Sequence, residues 1–163
     1  MTINRTQKNQ FERDGFVVIN NALKSSDLQP IIDNYTQFIH KQANSLCAKG
    51  ILKQSYSDLP FEERLAKICR HDLSIYKYID IMHVRGLATF EFLINERLLD
   101  LVESFIGSEI TCSPIQHIRA KLPNSLIEEC DKHLDQAQLE KAIGDNVAPW
   151  HQDAQVHLDE ADA

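Results

Sequence analysis

Residues 25–39, SSDLQPIIDNYTQFI, decide the first part of the fold. Their apolar side chains recur every three or four residues, which places them on one face of an α-helix. The members of this stripe are Leu28, Ile31, Ile32, Tyr35, Phe38 and Ile39. Ser25 and Ser26 are N-cap candidates, and we expect the helix to end before Gly50. An apolar stripe of this kind is typical of core packing, so we predict a helix whose apolar face is buried.

Further helical patterns lie on both sides of this stretch. Upstream, a short helix is predicted to end at Gly15, because glycine adopts positive φ without steric cost. Downstream, a helix is predicted to begin at Pro60, with two glutamates in its first turn that suit the helix dipole. Two more helices are predicted over about 74–82 and 89–106, the second ending before Gly107.

Strand-like composition occurs at three places. Residues 16–19, FVVI, form a β-branched and aromatic run bounded by asparagines, which predicts a short buried strand. Residues 109–122, EITCSPIQHIRAKL, predict one or two strands, and residues 148–158, APWHQDAQVHL, predict another. Between the last two segments, residues 124–143 have the pattern of a polar surface helix.

These elements predict one α+β domain over residues 1–163. It is helical over about 1–107 and has a β region with a helical insertion over about 108–163. The length of 163 residues is enough for one hydrophobic core. With 43% hydrophobic and 25% charged residues, the composition is ordinary for a soluble globular protein.

Charge and hydropathy exclude several classes of function. The net charge is −7, and the basic residues are scattered among acidic ones, so we expect no nucleic-acid partner. No apolar run approaches the roughly 18 residues that would span a bilayer, so no membrane association is expected. The N-terminus lacks the apolar core of a secretory signal, which favours a cytoplasmic location. The cysteines have long, irregular spacings, so we expect reduced thiols.

His151 and Asp153 are the residues that point most directly to chemistry. Alternate residues on a strand share a face, so an imidazole and a carboxylate would converge on one point. Together they would supply two arms of the 2-His-1-carboxylate triad of non-haem Fe(II) oxygenases. The same spacing recurs at His157 and Asp159, so spacing alone does not choose between the two pairs.

Three segments resemble the phytanoyl-CoA dioxygenase family. PWHQDAQVHLDEAD, from Pro149 onward, resembles its metal-binding segment, in which a W/L-HQD run provides the first histidine and the aspartate. FERDGFVVINNAL, residues 11–23, is similar to its entry motif, a short helix followed by DGF and the first strand. IQHIRAKLPNS, residues 115–125, is similar to its strand with a Lys-x-Pro turn. The three segments stand in the family's order and span most of the chain.

The resemblance implies a site and a reaction. His151 and Asp153 would bind Fe(II), and Lys121 would help to hold the co-substrate 2-oxoglutarate, although a solvated lysine beside a turn is an equal alternative. Gln152 matches a glutamine beside the metal, where a structural role is equally plausible. The complete enzyme would use O₂ to hydroxylate a small organic or acyl substrate.

The resemblance also implies a fold. The β region would be the first strands of a double-stranded β-helix (a jelly roll, or cupin-like fold), which has about eight strands. In the family, a second metal-binding histidine and an arginine that clamps 2-oxoglutarate follow the HQD segment. This chain ends at Ala163, so we expect it to be the N-terminal portion of such an oxygenase and inactive by itself.

Two other interpretations stay open. The first is a non-enzymatic helical binding or regulatory module, in which the helices of 25–106 form the functional surface and HQD is incidental. The second is a zinc protein. Its ligands would be His133, His151, Asp153 and His157, and the spacing of Cys130 and His133 also occurs in zinc sites.

Overall fold

The computed structural model describes residues 3–79 and 83–113 and the single positions 118, 120 and 122. Six helices follow one another in this part of the chain: α1 (Arg5–Asp14), α2 (Ser25–Ala48), α3 (Phe61–Cys69), α4 (Ser74–Lys77), α5 (Leu87–Leu93) and α6 (Glu96–Ile106). The long helix α2 is central, because α3 and α5 both pack against it. In turn, α4 packs against α3 and α6 packs against α5.

Local signals set both ends of α1. The Asn4 side chain accepts the Gln7 backbone N–H at 2.9 Å, and the Gln7 side chain accepts the Asn4 N–H at 3.1 Å. This reciprocal pair satisfies two N–H groups that a helix start leaves free. Gly15 lies at φ 77° and donates its N–H to the Phe11 carbonyl at 2.8 Å. The predicted helix end at Gly15 is confirmed.

The N-cap of α2 is Lys24, so the prediction of Ser25 or Ser26 as the cap is wrong. The Asp27 carboxylate accepts the Lys24 backbone N–H at 2.8 Å, and a carboxylate in the first turn also suits the helix dipole. The predicted end before Gly50 is confirmed, since α2 ends at Ala48.

The core lies between α2 and the helices that follow it. On α2, the buried side chains Tyr35, Ile39, Ala43 and Leu46 are spaced three or four residues apart and form one stripe. They are joined in the core by Leu52, Leu65, Ile68, Cys69, Leu73, Ile75, Ile79, Val84 and Leu122. The predicted stripe is thus correct in its centre, whereas its first member, Leu28, is exposed. Outside this core, Phe11 of α1 packs against Phe105 of α6 with ring centroids 4.6 Å apart.

The predicted α+β fold with the first strands of a jelly roll is wrong, because the part of the chain that the structure describes is helical and contains no strand. Residues 16–19, predicted as a buried strand, connect α1 to α2, and the side chains of Phe16 and Val18 are 60% and 71% exposed. The described positions of 109–122 are not in strands either. β-branched composition favours a strand only where a neighbouring strand completes its hydrogen bonds, and no described residue does so here. The strand predicted over 148–158 lies outside the described residues.

Two predicted helices differ in extent from those observed. The helix predicted over 74–82 ends at Lys77, where Tyr78 forms its C-cap. The single helix predicted over 89–106 is two helices, α5 and α6, separated at Ile94 and Asn95. The Asn95 side chain accepts the N–H groups of Arg97 and Leu98 at 3.0 and 3.2 Å. An asparagine in this role starts a new helix and so explains the break.

Candidate functional site

The predicted site residues Lys121, His151, Gln152 and Asp153 lie outside the described residues. The same holds for His133 and His157 of the zinc interpretation. Among residues 3–79 and 83–113 and the three single positions, no group of three or more histidine, cysteine, aspartate or glutamate side chains could hold a metal ion. The HQD site therefore stays a prediction from the sequence.

A cavity of about 390 Å³ lies between α2, α3 and the positions 118, 120 and 122. Its wall is mainly aliphatic and aromatic, and consists of Ile31, Ile32, Tyr35, Ile39, Phe61, Glu62, Leu65, Ala66, Ile79, Ile118, Ala120 and Leu122. The helical repeat explains the wall, because Ile31, Tyr35 and Ile39 follow at intervals of four residues on one face of α2.

The volume and the wall of this cavity fit an apolar ligand. Small-molecule sites in proteins typically measure about 300–1,000 Å³ and are lined mostly by hydrophobic side chains with a few polar groups. Among the described residues of this wall, Glu62 is the one acidic residue, and it belongs to the first turn of α3. The chemistry available here is binding of a hydrocarbon or ring, with a carboxylate beside it.

Arg64 is the one buried charged residue that the described part contains, with 4% of its surface exposed. It donates from Nε and Nη2 to the Ser55 carbonyl oxygen at 3.2 and 3.0 Å. Burial lowers the pKa of this guanidinium, and the charge of Asp58 opposes that shift. The forked contact fastens the segment between α2 and α3 onto α3.

Arg64 also reaches α2, because its Nη2 lies 3.1 Å from Nδ1 of His40. An arginine can only donate, so Nδ1 must accept, which requires the neutral tautomer with its hydrogen on Nε2. The atom of Asn44 nearest to Nε2, at 3.0 Å, is the amide nitrogen Nδ2. Two donors would then face each other, so this hydrogen bond requires the Asn44 amide turned to place its oxygen, which accepts, towards Nε2. Sequence reasoning missed this network, since 24 residues separate its two main members.

Tyr56 is a second anchor of the same segment. Its hydroxyl lies 3.0 Å from Nε2 of His71, and the ammonium of Lys67 lies 5.9 Å from its ring centroid. Tyr56 adopts φ 50°, a left-handed conformation that is costly for a bulky side chain. The contacts of its hydroxyl with His71 and of its ring with Lys67 indicate a structural role for Tyr56.

A polar recess of about 370 Å³ marks the junction of α2 with α6. The Asp27 carboxylate, besides its bond to Lys24, accepts from Asn95 Nδ2 at 3.3 Å and lies 3.5 Å from Nε of Arg97. The backbone N–H of Lys24 contributes most to holding the pKa of Asp27 below its ordinary value, and Asn95 and Arg97 add to the effect. The junction joins two helix starts through one carboxylate.

Comparison with known proteins places the chain in no family: no protein-family model, no curated protein and no solved structure matches it. The described helices include none that is both long and apolar enough to cross a membrane. The described part is thus an α-helical assembly with an apolar cavity beside its central helix.

Proposed function

We propose that the chain is part of an Fe(II)- and 2-oxoglutarate-dependent dioxygenase that hydroxylates a small organic or acyl substrate with O₂. The observation that carries the proposal is the HQD tripeptide at residues 151–153, preceded in order by the DGF segment and the Lys121 turn. The proposal rests on these residue types and their order. It includes a cytoplasmic location and no nucleic-acid partner, in keeping with the acidic composition.

The donor set suits the metal. Fe(II) accepts imidazole and carboxylate donors, which His151 and Asp153 would provide. Lys121 would pair its ammonium with a carboxylate of 2-oxoglutarate, and Gln152 would lie beside the metal. The bound iron would supply the oxidative chemistry, while these side chains would hold and orient the co-substrate. The apolar cavity beside α2 would suit the hydrocarbon part of a substrate.

An anaerobic metal titration tests the site directly. Fe(II) affinity is measured for the unaltered chain and for His151→Ala, Asp153→Ala and His157→Ala, with Co(II) as a spectroscopic probe of the ligands. We expect the first two substitutions to weaken binding at least about tenfold and His157→Ala to leave it unchanged. Equal binding by all four proteins would show that HQD is incidental. Retention of Zn(II) that depends on His157 would support the zinc interpretation instead.

The co-substrate role of Lys121 has its own test. We expect Lys121→Met to weaken 2-oxoglutarate binding to the Fe(II)-loaded protein while leaving Fe(II) affinity unchanged, because the substitution removes only the ammonium. Lys53→Met, at an exposed position of the described part, serves as the matched control. If both variants bind 2-oxoglutarate as the unaltered chain does, Lys121 is a solvated lysine.

The second candidate function is a helical binding module without enzymatic activity, and the apolar cavity is the observation that favours it. We expect Ala66→Phe, which fills the cavity from α3, to weaken binding of an apolar fluorescent probe about tenfold or more. Ala48→Phe introduces the same side chain at the exposed end of α2 and should have no effect. Probe binding that is insensitive to both substitutions would contradict a ligand site in this cavity.

A further inference from the structure

Helix α5 carries apolar side chains on both of its sides. On its inner side, Thr89 is buried and Phe92 is partly buried. On its outer side, Leu87, Phe90 and Ile94 are 70%, 59% and 52% exposed. These three residues are spaced three and four apart and form one stripe, the α5 stripe, along the helix and the residue after it. A helix that is apolar all round is normally covered on all sides, so the α5 stripe indicates a surface that a partner covers.

The polar recess at the junction of α2 with α6 adjoins this stripe, because Ile94 belongs to both. The wall of the recess also contains Glu91 and Glu96, which are exposed. No residue of the described part forms a hydrogen bond or an ion pair with either carboxylate. Asp27 and Arg97, in the same wall, lie 3.5 Å apart and offset each other's charge. The recess therefore offers two acidic side chains to a cation.

The position of Glu91 is not explained by the stability of α5. It lies in the last turn, where a carboxylate opposes the helix dipole, whereas Glu96 lies in the first turn of α6, where it suits the dipole. Glu91 is four residues after Leu87 and three before Ile94, so it lies alongside the stripe. Arg85, just before α5, is already engaged within the chain. The unpaired charge beside the α5 stripe is thus acidic.

We propose that the α5 stripe and the polar recess together bind a partner protein through a short amphipathic helix that carries a lysine or an arginine. Apolar side chains of the partner would cover Leu87, Phe90 and Ile94. The aliphatic part of its basic side chain would pass Ile94, and the cation would enter the recess between Glu91 and Glu96. Recognition of an apolar stripe at helical spacing is an established way in which proteins bind amphipathic helices.

The size of this surface limits the strength of the complex. Seven residues of helix span only about 10 Å, so the contact is smaller than the ~800 Å² per partner of a standard interface. We therefore expect a weak, reversible complex. The ion pairs contribute to the choice and orientation of the partner more than to affinity, so the charge of the partner is the sharper test.

Three labelled helical peptides test the proposal with the full chain, by fluorescence anisotropy. The first has leucines spaced three and four residues apart and a lysine one turn beyond each end of this stripe, so that either orientation is covered. The second has glutamates in place of the lysines, and the third has serines in place of the leucines. We expect the first peptide to bind, and the other two to bind at least about tenfold more weakly.

Substitutions in the chain locate the binding surface. Phe90→Ser and Leu87→Ser should each weaken binding of the first peptide about tenfold, since they remove apolar contacts at exposed positions. Glu91→Gln should weaken it about threefold or more and reduce its salt dependence. The net charge of −7 attracts any basic peptide, so Glu12→Gln, at an exposed position of α1, is the control for the loss of one charge and should have no effect.

Four results would overturn the proposal. The first is a chain that binds none of the three peptides. The second is equal binding of the lysine and glutamate peptides, which would leave the recess without a role. The third is binding that Phe90→Ser and Leu87→Ser leave unchanged but that Ala66→Phe abolishes, which would place the peptide in the apolar cavity. The fourth is a dimer of the unaltered chain, seen by sedimentation equilibrium, that Phe90→Ser separates, because a second copy would then cover the stripe. Circular dichroism verifies the folding of each variant.

Discussion

The guanidinium of Arg64 donates two hydrogen bonds, from Nε and Nη2, to the backbone carbonyl of Ser55, at 3.2 and 3.0 Å. Nine residues separate the two partners, and the contact closes the segment that leads from α2 into α3. The cation is buried, so this contact must compensate for water that the guanidinium has lost. It therefore holds the segment before α3 against α3, whose residues Leu65 and Ala66 line the apolar cavity.

Arg64→Lys tests this contact because it keeps the charge and removes the fork. We expect a loss of about 2 kcal/mol in the free energy of unfolding, since hydrogen bonds from charged donors contribute roughly 1.5–3 kcal/mol and a lysine cannot reproduce the geometry. Urea unfolding is the measurement. Arg5→Lys on the exposed face of α1 is the control, expected to stay within about 0.5 kcal/mol. Equal stability of the two variants would contradict a structural role for the fork.

Tyr56→Phe removes only the hydroxyl that lies 3.0 Å from Nε2 of His71. We expect a loss of about 1 kcal/mol, the ordinary contribution of one partly buried hydrogen bond. A double-mutant cycle with His71→Phe isolates the pair, and its coupling energy should be of order 0.5–1.5 kcal/mol. A coupling energy near zero would show that other contacts hold Tyr56 in its left-handed conformation.

The sequence predicts those parts of the fold that depend on local chemistry. Gly15 ends α1 and Pro60 precedes α3 because both act through their own backbone geometry. The strand predicted at residues 16–19 was wrong because a segment of high β-propensity forms a strand only when another strand pairs with it. Whether such a partner is present depends on the tertiary structure, which the local sequence does not encode. The break at Asn95 was missed although its signal is local: an asparagine before a glutamate can start a helix even within a continuous apolar pattern.

In the candidate site too, some features follow from local sequence and others do not. The aliphatic wall that α2 presents to the cavity follows from the predicted stripe, since Ile31, Tyr35 and Ile39 belong to both. Two other features depend on how distant segments meet: the contribution of Ile118, Ala120 and Leu122 to the cavity wall, and the pairing of Arg64 with His40. No spacing in the sequence encodes such contacts. The metal site at the HQD tripeptide remains a prediction. It rests on the ability of histidine and aspartate side chains to bind metal, which the sequence shows without the fold.

Asn95 has two roles that substitution can separate. Asn95→Ala removes both the cap of α6 and the donor to Asp27, and we expect it to cost about 1–2 kcal/mol of unfolding free energy. Asn95→Ser keeps a capping oxygen and loses only the reach to Asp27, so its cost should be smaller by about 1 kcal/mol. Denaturant titration compares the two. If serine costs as much as alanine, the cap contributes little to stability.

Ile68 tests the core that α3 shares with α2. Its side chain is fully buried, so Ile68→Ala should cost about 2–5 kcal/mol through lost burial and an unfilled cavity. Ile51→Ala makes the same change at an exposed position and should cost less than about 1 kcal/mol. Thermal or urea unfolding measures both. Similar losses at the two positions would contradict the packing of α3 against α2.

Asp27 makes the junction of α2 and α6 sensitive to acid. Its folded-state pKa lies below the ordinary value of 3.8, first because the Lys24 N–H binds the carboxylate and then because of Asn95 and Arg97. The folded state thus binds fewer protons than the unfolded state, and the resulting stability is complete above the ordinary pKa and disappears as the pH falls through the folded-state pKa.

We expect Asp27→Asn to be less stable than the unaltered chain near neutral pH, with the difference shrinking below about pH 4. Unfolding titrations across this range measure it, and Asp33→Asn on the exposed side of α2 controls for the loss of one negative charge. A difference that stays constant from neutral pH into this acid range would contradict the role of the ionised carboxylate.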